Sequence, residues 1–136
     1  MRFEYLAIDW GSKRFGIAFG SSEPFVVLPY RGEFLEKQWR SQLLQILLEK
    51  KPRILIVGRP TTFDGRPTEV TVKIEEFATE LKLLLKNNAL ENIEVQLYNE
   101  RETTKFAHNL QITNKTDINH AAAVRLLELW VQHGKK

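Results

Sequence analysis

Cysteine is absent from these 136 residues and methionine occurs once. That absence excludes a disulfide framework, a thiolate zinc site and a cysteine nucleophile, and it points to a reducing compartment, with the cytosol as the expectation. Long hydrophobic runs are missing too. The greasiest stretch, Leu43 to Leu48, is six residues with Gln45 inside it, against the ~20 apolar residues that a membrane span requires. Arg2, Glu4 and Asp9 fall where a signal peptide would need its apolar core, so neither export nor a membrane partner is expected. Glycine and proline number seven and five and form no linker. With no internal repeat or low-complexity tract either, a single domain over residues 1–136 is expected.

What is present is a globular balance of 43% hydrophobic and 27% charged residues. A chain of this length should bury roughly two thirds of the surface its unfolded form exposes, so a core is available without covalent or metal staples. The net charge of +3 is too mild to announce a polyanionic partner, and its distribution says more. Residues 67–100 hold three basic and seven acidic side chains, whereas the rest of the chain holds 17 basic and 10 acidic. This segregation leaves room for a nucleic-acid face elsewhere on the surface, although solvated faces of mixed charge would give the same counts.

Phe3 to Asp9 reads as a strand, Trp10-Gly11-Ser12-Lys13 as a turn and Arg14 to Phe19 as the return strand of a hairpin. Pro24 and Pro29 bracket a short third strand, Phe25 to Leu28. Leu35, Trp39, Leu43, Ile46 and Leu47 recur at helical spacing before a Lys50-Lys51-Pro52 stop. Arg53 to Val57 reads as a buried strand, and Val70, Ile74, Phe77, Leu81, Leu84 and Leu85 as the apolar stripe of a helix. Ile93, Val95 and Leu97 alternate as a strand that stops at Asn99-Glu100; a short helix from Thr103 to about His108 and a last one from roughly Asn119 to Gln132 complete the chain. Three antiparallel strands followed by helix-linked strands predict an α/β fold. Its mixed five-stranded sheet is flanked by helices, with right-handed crossovers setting the later strands beside the first.

The carboxyl ends of central strands are where sites usually form in such sheets. Asp9 and Glu100 each end a strand; on neighbouring strands, two such carboxylates would converge at one rim, close enough to share a divalent ion. Each could equally cap a turn. Gly11, Gly16 and Gly58 suit tight turning and close backbone approach. Trp10 alternates with Leu6 and Ile8 and suits the core as well as it suits stacking on a base. His108, His120 and His133 have no recognisable metal-ligand spacing; the place of His120 beside Asn119 is its one suggestive feature.

Four segments in order look like one known family. Leu6 to Ala18, containing Ile8-Asp9-Trp10-Gly11-Ser12-Lys13, resembles the opening of the YqgF/RuvX proteins, members of the RNase H-like (RuvC-like) nuclease superfamily. Ile56-Val57-Gly58-Arg59-Pro60 with Asp64-Gly65 resembles their second motif, in which the residue between Gly and Pro is more often leucine. Asn99-Glu100-Arg101-Glu102-Thr103-Thr104 is similar to the third, usually Asp-Glu-Arg followed by two threonines, although these threonines also suit a helix cap. Asn119-His120-Ala121-Ala122-Ala123 with Leu126-Leu127 resembles the carboxyl-terminal helix, which normally opens with an aspartate.

The resemblance implies an RNase H-like fold whose acidic residues bind Mg2+ or Mn2+ and cleave a phosphodiester with an activated water, work that suits carboxylates because hard cations take oxygen ligands. It implies Asp9 and Glu100 as catalytic metal ligands, with Asn119 at the third position where the family has aspartate. Lys13, Arg14, Arg59 and Arg101 flank the rim and could contact phosphates; the family match covers Lys13 and Arg101 but not Arg59. Positions 119, 122, 123, 126 and 130 share one helical face, whereas Asp117 lies about 200° from Asn119 and suits the amino-terminal cap, or a frayed turn that brings it into the site. An asparagine carbonyl ligates without bringing charge, so reduced metal affinity or activity is expected. The substrates the resemblance implies are pre-16S rRNA, trimmed at its 5′ end within a pre-30S particle, or a four-way DNA junction cut by a two-fold homodimer. A nucleic-acid-binding homologue weakened in catalysis through Asn119 is a further possibility. An actin-like ATPase also begins with an Asp-x-Gly turn, but it closes two domains around its nucleotide, and 136 residues supply one.

Overall fold

The structure, a computed structural model, describes residues 3–10, 15–22, 24–30, 36–60, 69–100 and 115–134. Five strands, β1 (Tyr5–Asp9), β2 (Gly16–Ser22), β3 (Phe25–Pro29), β4 (Ile54–Pro60) and β5 (Glu94–Glu100), form one sheet in the order β3-β2-β1-β4-β5. β1 pairs antiparallel with β2, and β2 with β3; β1, β4 and β5 run parallel. Among the described residues there are three helices: α1 (Trp39–Lys50), entered through a 3-10 turn at Glu36–Gln38, α2 (Glu69–Asn87) and α3 (Lys115–Leu129), which continues as a π-helical turn, Trp130–Gly134. The mixed α/β sheet expected from the sequence is the one observed, and a parallel β1 beside β4 follows from the helical crossover between them.

Strand alternation divides the core into two layers. Leu6, Ile8, Ile17, Phe19, Leu55, Val57 and Ile93 join one cluster with Trp39, Leu43 and Leu47 of α1 and Ile74, Phe77, Leu81 and Leu85 of α2. Trp10 is half-buried and packs against the edge of that cluster, with its ring centroid 6.4 Å from that of Phe15. On the opposite face, Tyr5, Ala7, Ala18 and Ile56 pack with Ala123, Leu126, Leu127 and Trp130 of α3. Ala7 and Ala18 of the sheet and Ala123 of the helix allow α3 to lie close, while Tyr5, Ile56 and Trp130 fill the space around them. Leu126 and Leu127 are fully buried, which stabilises the fold by roughly 2 kcal/mol each through apolar burial.

The carboxyl ends of α1 and α2, at Lys50 and Asn87, fall where the sequence pattern stops, and the backbone shows how each is closed. α1 closes on Lys51 in the left-handed region (φ 48°), whose N–H donates to the Leu47 carbonyl over 2.9 Å. α2 closes in a Schellman arrangement: Leu90 N–H donates to Leu85 O, Ala89 N–H donates to Lys86 O, and Ala89 takes φ 57°. α3 starts at Lys115, about one turn before the expected Asn119, so Asp117 lies inside the first helical turn and is not its cap. The short helix expected over 103–108 lies outside the described residues.

Candidate metal and nucleic-acid site

Tyr5, Ala7 and Asp9 share one parity of β1, which sets Asp9 on the α3 face of the sheet at the carboxyl end of the central strand. Asp9 is half-buried and pairs in register with Gly16 of β2. The register that pairs Ile8 with Val57, carried one residue further, sets Asp9 level with buried Gly58, which pairs with Tyr98 of β5. Glu100 ends β5 in register with Pro60, at the parity of Gln96 and Tyr98. The two acids therefore end parallel strands at one rim, but those strands are not neighbours: β4 lies between them. From a strand spacing of ~4.8 Å and a rise of ~3.3 Å per residue, their backbones stand about 12 Å apart. The residue between them, level with Asp9, is a glycine.

The direction of α3 brings a third element to the same rim. His120 meets Ile17, the register partner of Ile8, through a hydrogen bond of 3.0 Å. Leu127, two turns later, lies over Gly20, the partner of Tyr5; a Cβ at Gly20 would stand 2.8 Å from Leu127 Cδ2. Trp130 then packs edge-on to Tyr5 with centroids 4.8 Å apart, and its Nε1–H donates to Gln96 Oε1 over 3.0 Å. α3 thus runs antiparallel to β1, and its amino-terminal half, with Asn119, stands over the Asp9 end. Sequence periodicity had put Ala122, Ala123, Leu126 and Trp130 on the sheet-facing stripe, and all four are buried. His120 is buried as well, and its signal was available: it is three and seven residues before the buried Ala123 and Leu127.

Of the remaining candidates, Lys13, Arg14 and Arg101 lie outside the described residues, as do Asp64-Gly65 and Thr103-Thr104. Arg59 has its backbone in β4 opposite Asn99. The side chains of Arg59, Glu100, Asp117 and Asn119 are also outside the description, and among the described residues no three His, Cys, Asp or Glu side chains gather as a metal cluster. At the opposite pole of β1, burial works against ionisation of Glu4, but the Ser22 N–H, the Arg53 guanidinium at 3.1 Å and the Ser22 hydroxyl outweigh it and hold the carboxyl below its usual range. As residue types, Asp9, Glu100 and Asn119 would offer two carboxylates and an amide, a donor set whose chemistry fits a hard divalent cation.

A family profile described as "RuvX: Holliday junction resolvase" matches residues 3–133. The chain belongs to the RuvX family. RuvX-family proteins are nucleases that hydrolyse phosphodiester bonds, and two similar relatives carry the name "Putative pre-16S rRNA nuclease". One, from Buchnera aphidicola subsp. Schizaphis graminum, is 31% identical over 140 residues, covering 92% of this chain and 93% of the relative. The other, from Rickettsia peacockii, is 36% identical over 107 residues, covering 77% and 66%. Among solved structures, Thermus thermophilus RuvC superposes with a TM-score of 0.58 at 10% identity and 96% coverage of both chains, and the same protein in complex with a Holliday junction substrate with a TM-score of 0.56 at 12% identity. The RuvX chain therefore has the RuvC-like RNase H fold, a nuclease fold that in general uses divalent metal. No helix among its described residues is long and apolar enough to cross a membrane.

Proposed function

We propose that this RuvX-family chain is a Mg2+- or Mn2+-dependent endonuclease that trims the 5′ end of pre-16S rRNA. The observation that carries the reading is the approach of three elements to one rim: β1 ending at Asp9, β5 ending at Glu100, and α3 laid with its amino-terminal half toward the Asp9 end. Asp9 and Glu100 supply charged oxygen ligands, and Asn119 supplies a neutral one. The ~12 Å between the two acidic backbones suits ligands reaching toward a pair of ions about 4 Å apart better than toward one shared ion. Bound divalent ions supply an acidified water and neutralise charge gathering on the scissile phosphate. The backbone of Asp9 is held by its pairing with Gly16 of β2, and that of the preceding Ile8 by pairing with both β2 and β4, so the carboxylate springs from a fixed strand end. Lys13, Arg14, Arg59 and Arg101 would steer and seat the phosphate backbone. Asp117, inside the first turn of α3, stands about 200° around the helix from Asn119 and would reach the ions only if that turn opened.

The experiment is Mg2+- and Mn2+-dependent cleavage of a labelled pre-16S 5′-flank RNA and a four-way DNA junction side by side, with Asp9→Asn as the control. RNA cleavage lost in Asp9→Asn is the expected result, and Asn119→Asp should then raise activity by restoring a third charge. The description of the family profile and the RuvC-like fold favour the second reading, junction resolution, which cleavage of the DNA alone would establish. Binding without cleavage at saturating metal would instead mark a homologue that lost its chemistry at Asn119.

A further inference from the structure

The ladder between β2 and β3 ends irregularly beside the candidate site. Ala18 pairs with Pro29, so Ile17 and Tyr30 should exchange two hydrogen bonds in the next step. Only one forms. Tyr30 N–H donates to Ile17 O over 2.9 Å, but Ile17 N–H donates to His120 Nδ1 over 3.0 Å. An imidazole nitrogen from α3 has replaced a strand carbonyl. The ring is 4% exposed and its edge lies against Tyr30, with centroids 5.8 Å apart. Accepting at Nδ1 puts the ring proton on Nε2, and burial makes the bond costly to leave unmade.

This contact has a direction. Ile17 is the register partner of Ile8, which precedes Asp9, and His120 follows Asn119 in α3. One hydrogen bond thus joins the residue beside one proposed ligand to the strand partner of the residue beside the other. Farther along, α3 is held by the Trp130–Gln96 bond and by the close approach of Leu127 to Gly20. Those contacts seat the helix on the sheet. Among the described side-chain hydrogen bonds of α3, the His120 bond is the one nearest the rim.

We propose that His120 is a positioning residue that fixes the backbone of Asn119 relative to Asp9 for divalent-ion binding. The inference rests on the nuclease reading above. Mn2+ affinity, followed by electron paramagnetic resonance of the free ion, and melting temperature are to be measured on the parent, Asp9→Asn, His120→Leu, His120→Asn and Trp130→Phe. Asparagine places an acceptor near the position of Nδ1, whereas leucine keeps bulk without one. The expected result is Asp9-dependent binding in the parent, weakened about ten-fold in His120→Leu, as for other groups that orient metal ligands, and largely restored in His120→Asn. Trp130→Phe should melt earlier with its Mn2+ affinity unchanged, which a general loosening of α3 would not allow.

Parent-like affinity in His120→Leu, or an equal loss in Trp130→Phe, overturns the role of His120 while leaving the nuclease reading intact. Absence of Asp9-dependent Mn2+ binding in the parent overturns both. Should His120→Leu not fold, His120→Gln takes its place: its acceptor overshoots the Nδ1 position, so affinity equal to that of His120→Asn would refute the proposal.

Discussion

Gly20→Ala tests the seating of α3 on the sheet. A Cβ at residue 20 would lie 2.8 Å from Leu127 Cδ2 and 2.9 Å from the Val26 carbonyl oxygen, both inside ordinary van der Waals contact. Leu127 can rotate its methyl away. Val26 O cannot retreat as easily, because it is backbone of the strand that pairs with β2, where Gly20 faces Val27. Overpacking of this kind costs ~1–3 kcal/mol, offset by ~0.5–1 kcal/mol from the lower chain entropy of unfolded alanine. The expected net loss is ~1–2 kcal/mol, a fall in Tm of roughly 3–8 °C for a domain of this size. Urea unfolding of Gly20→Ala, Leu127→Ala and the double variant separates the two contacts. Leu127→Ala alone should cost ~2–5 kcal/mol, and the double variant should cost less than the two together, since the shortened side chain relieves one clash. Gly20→Ala as stable as the parent, or fully additive effects, would refute the close packing.

Ala89→Gly should stabilise the chain by about 0.5–1 kcal/mol, since Ala89 closes α2 at φ 57°, where a side chain is strained and glycine is not; an unchanged or lower urea midpoint would count against that cap. Trp130→Phe should cost about 1 kcal/mol through the lost bond to Gln96, and Gln96→Leu added to it should cost little more; independent losses would show that the bond does not form in solution.

Much of this protein was determined locally. Alternation of apolar residues defined the strands, helical spacing from Val70 to Leu85 defined the inner face of α2, and the Ala122 to Trp130 stripe defined that of α3, because burial of one face imposes its period on the sequence. Asp9 was legible for the same reason: a charged residue ending an apolar strand stands out against its neighbours. Asn119 was legible as a departure, an amide where the RuvX pattern carries an acid. Tertiary structure decided the relations between these segments. That β4 separates the strands of Asp9 and Glu100 depends on which strands pair, and periodicity carries no information about pairing. That α3 runs antiparallel to β1 depends on contacts between residues about a hundred apart, Ile17 with His120 and Gly20 with Leu127. His120 belongs to this second kind. In sequence it is a histidine without ligand spacing, and only the early departure of β3 from the ladder leaves the backbone donor that gives its ring a role.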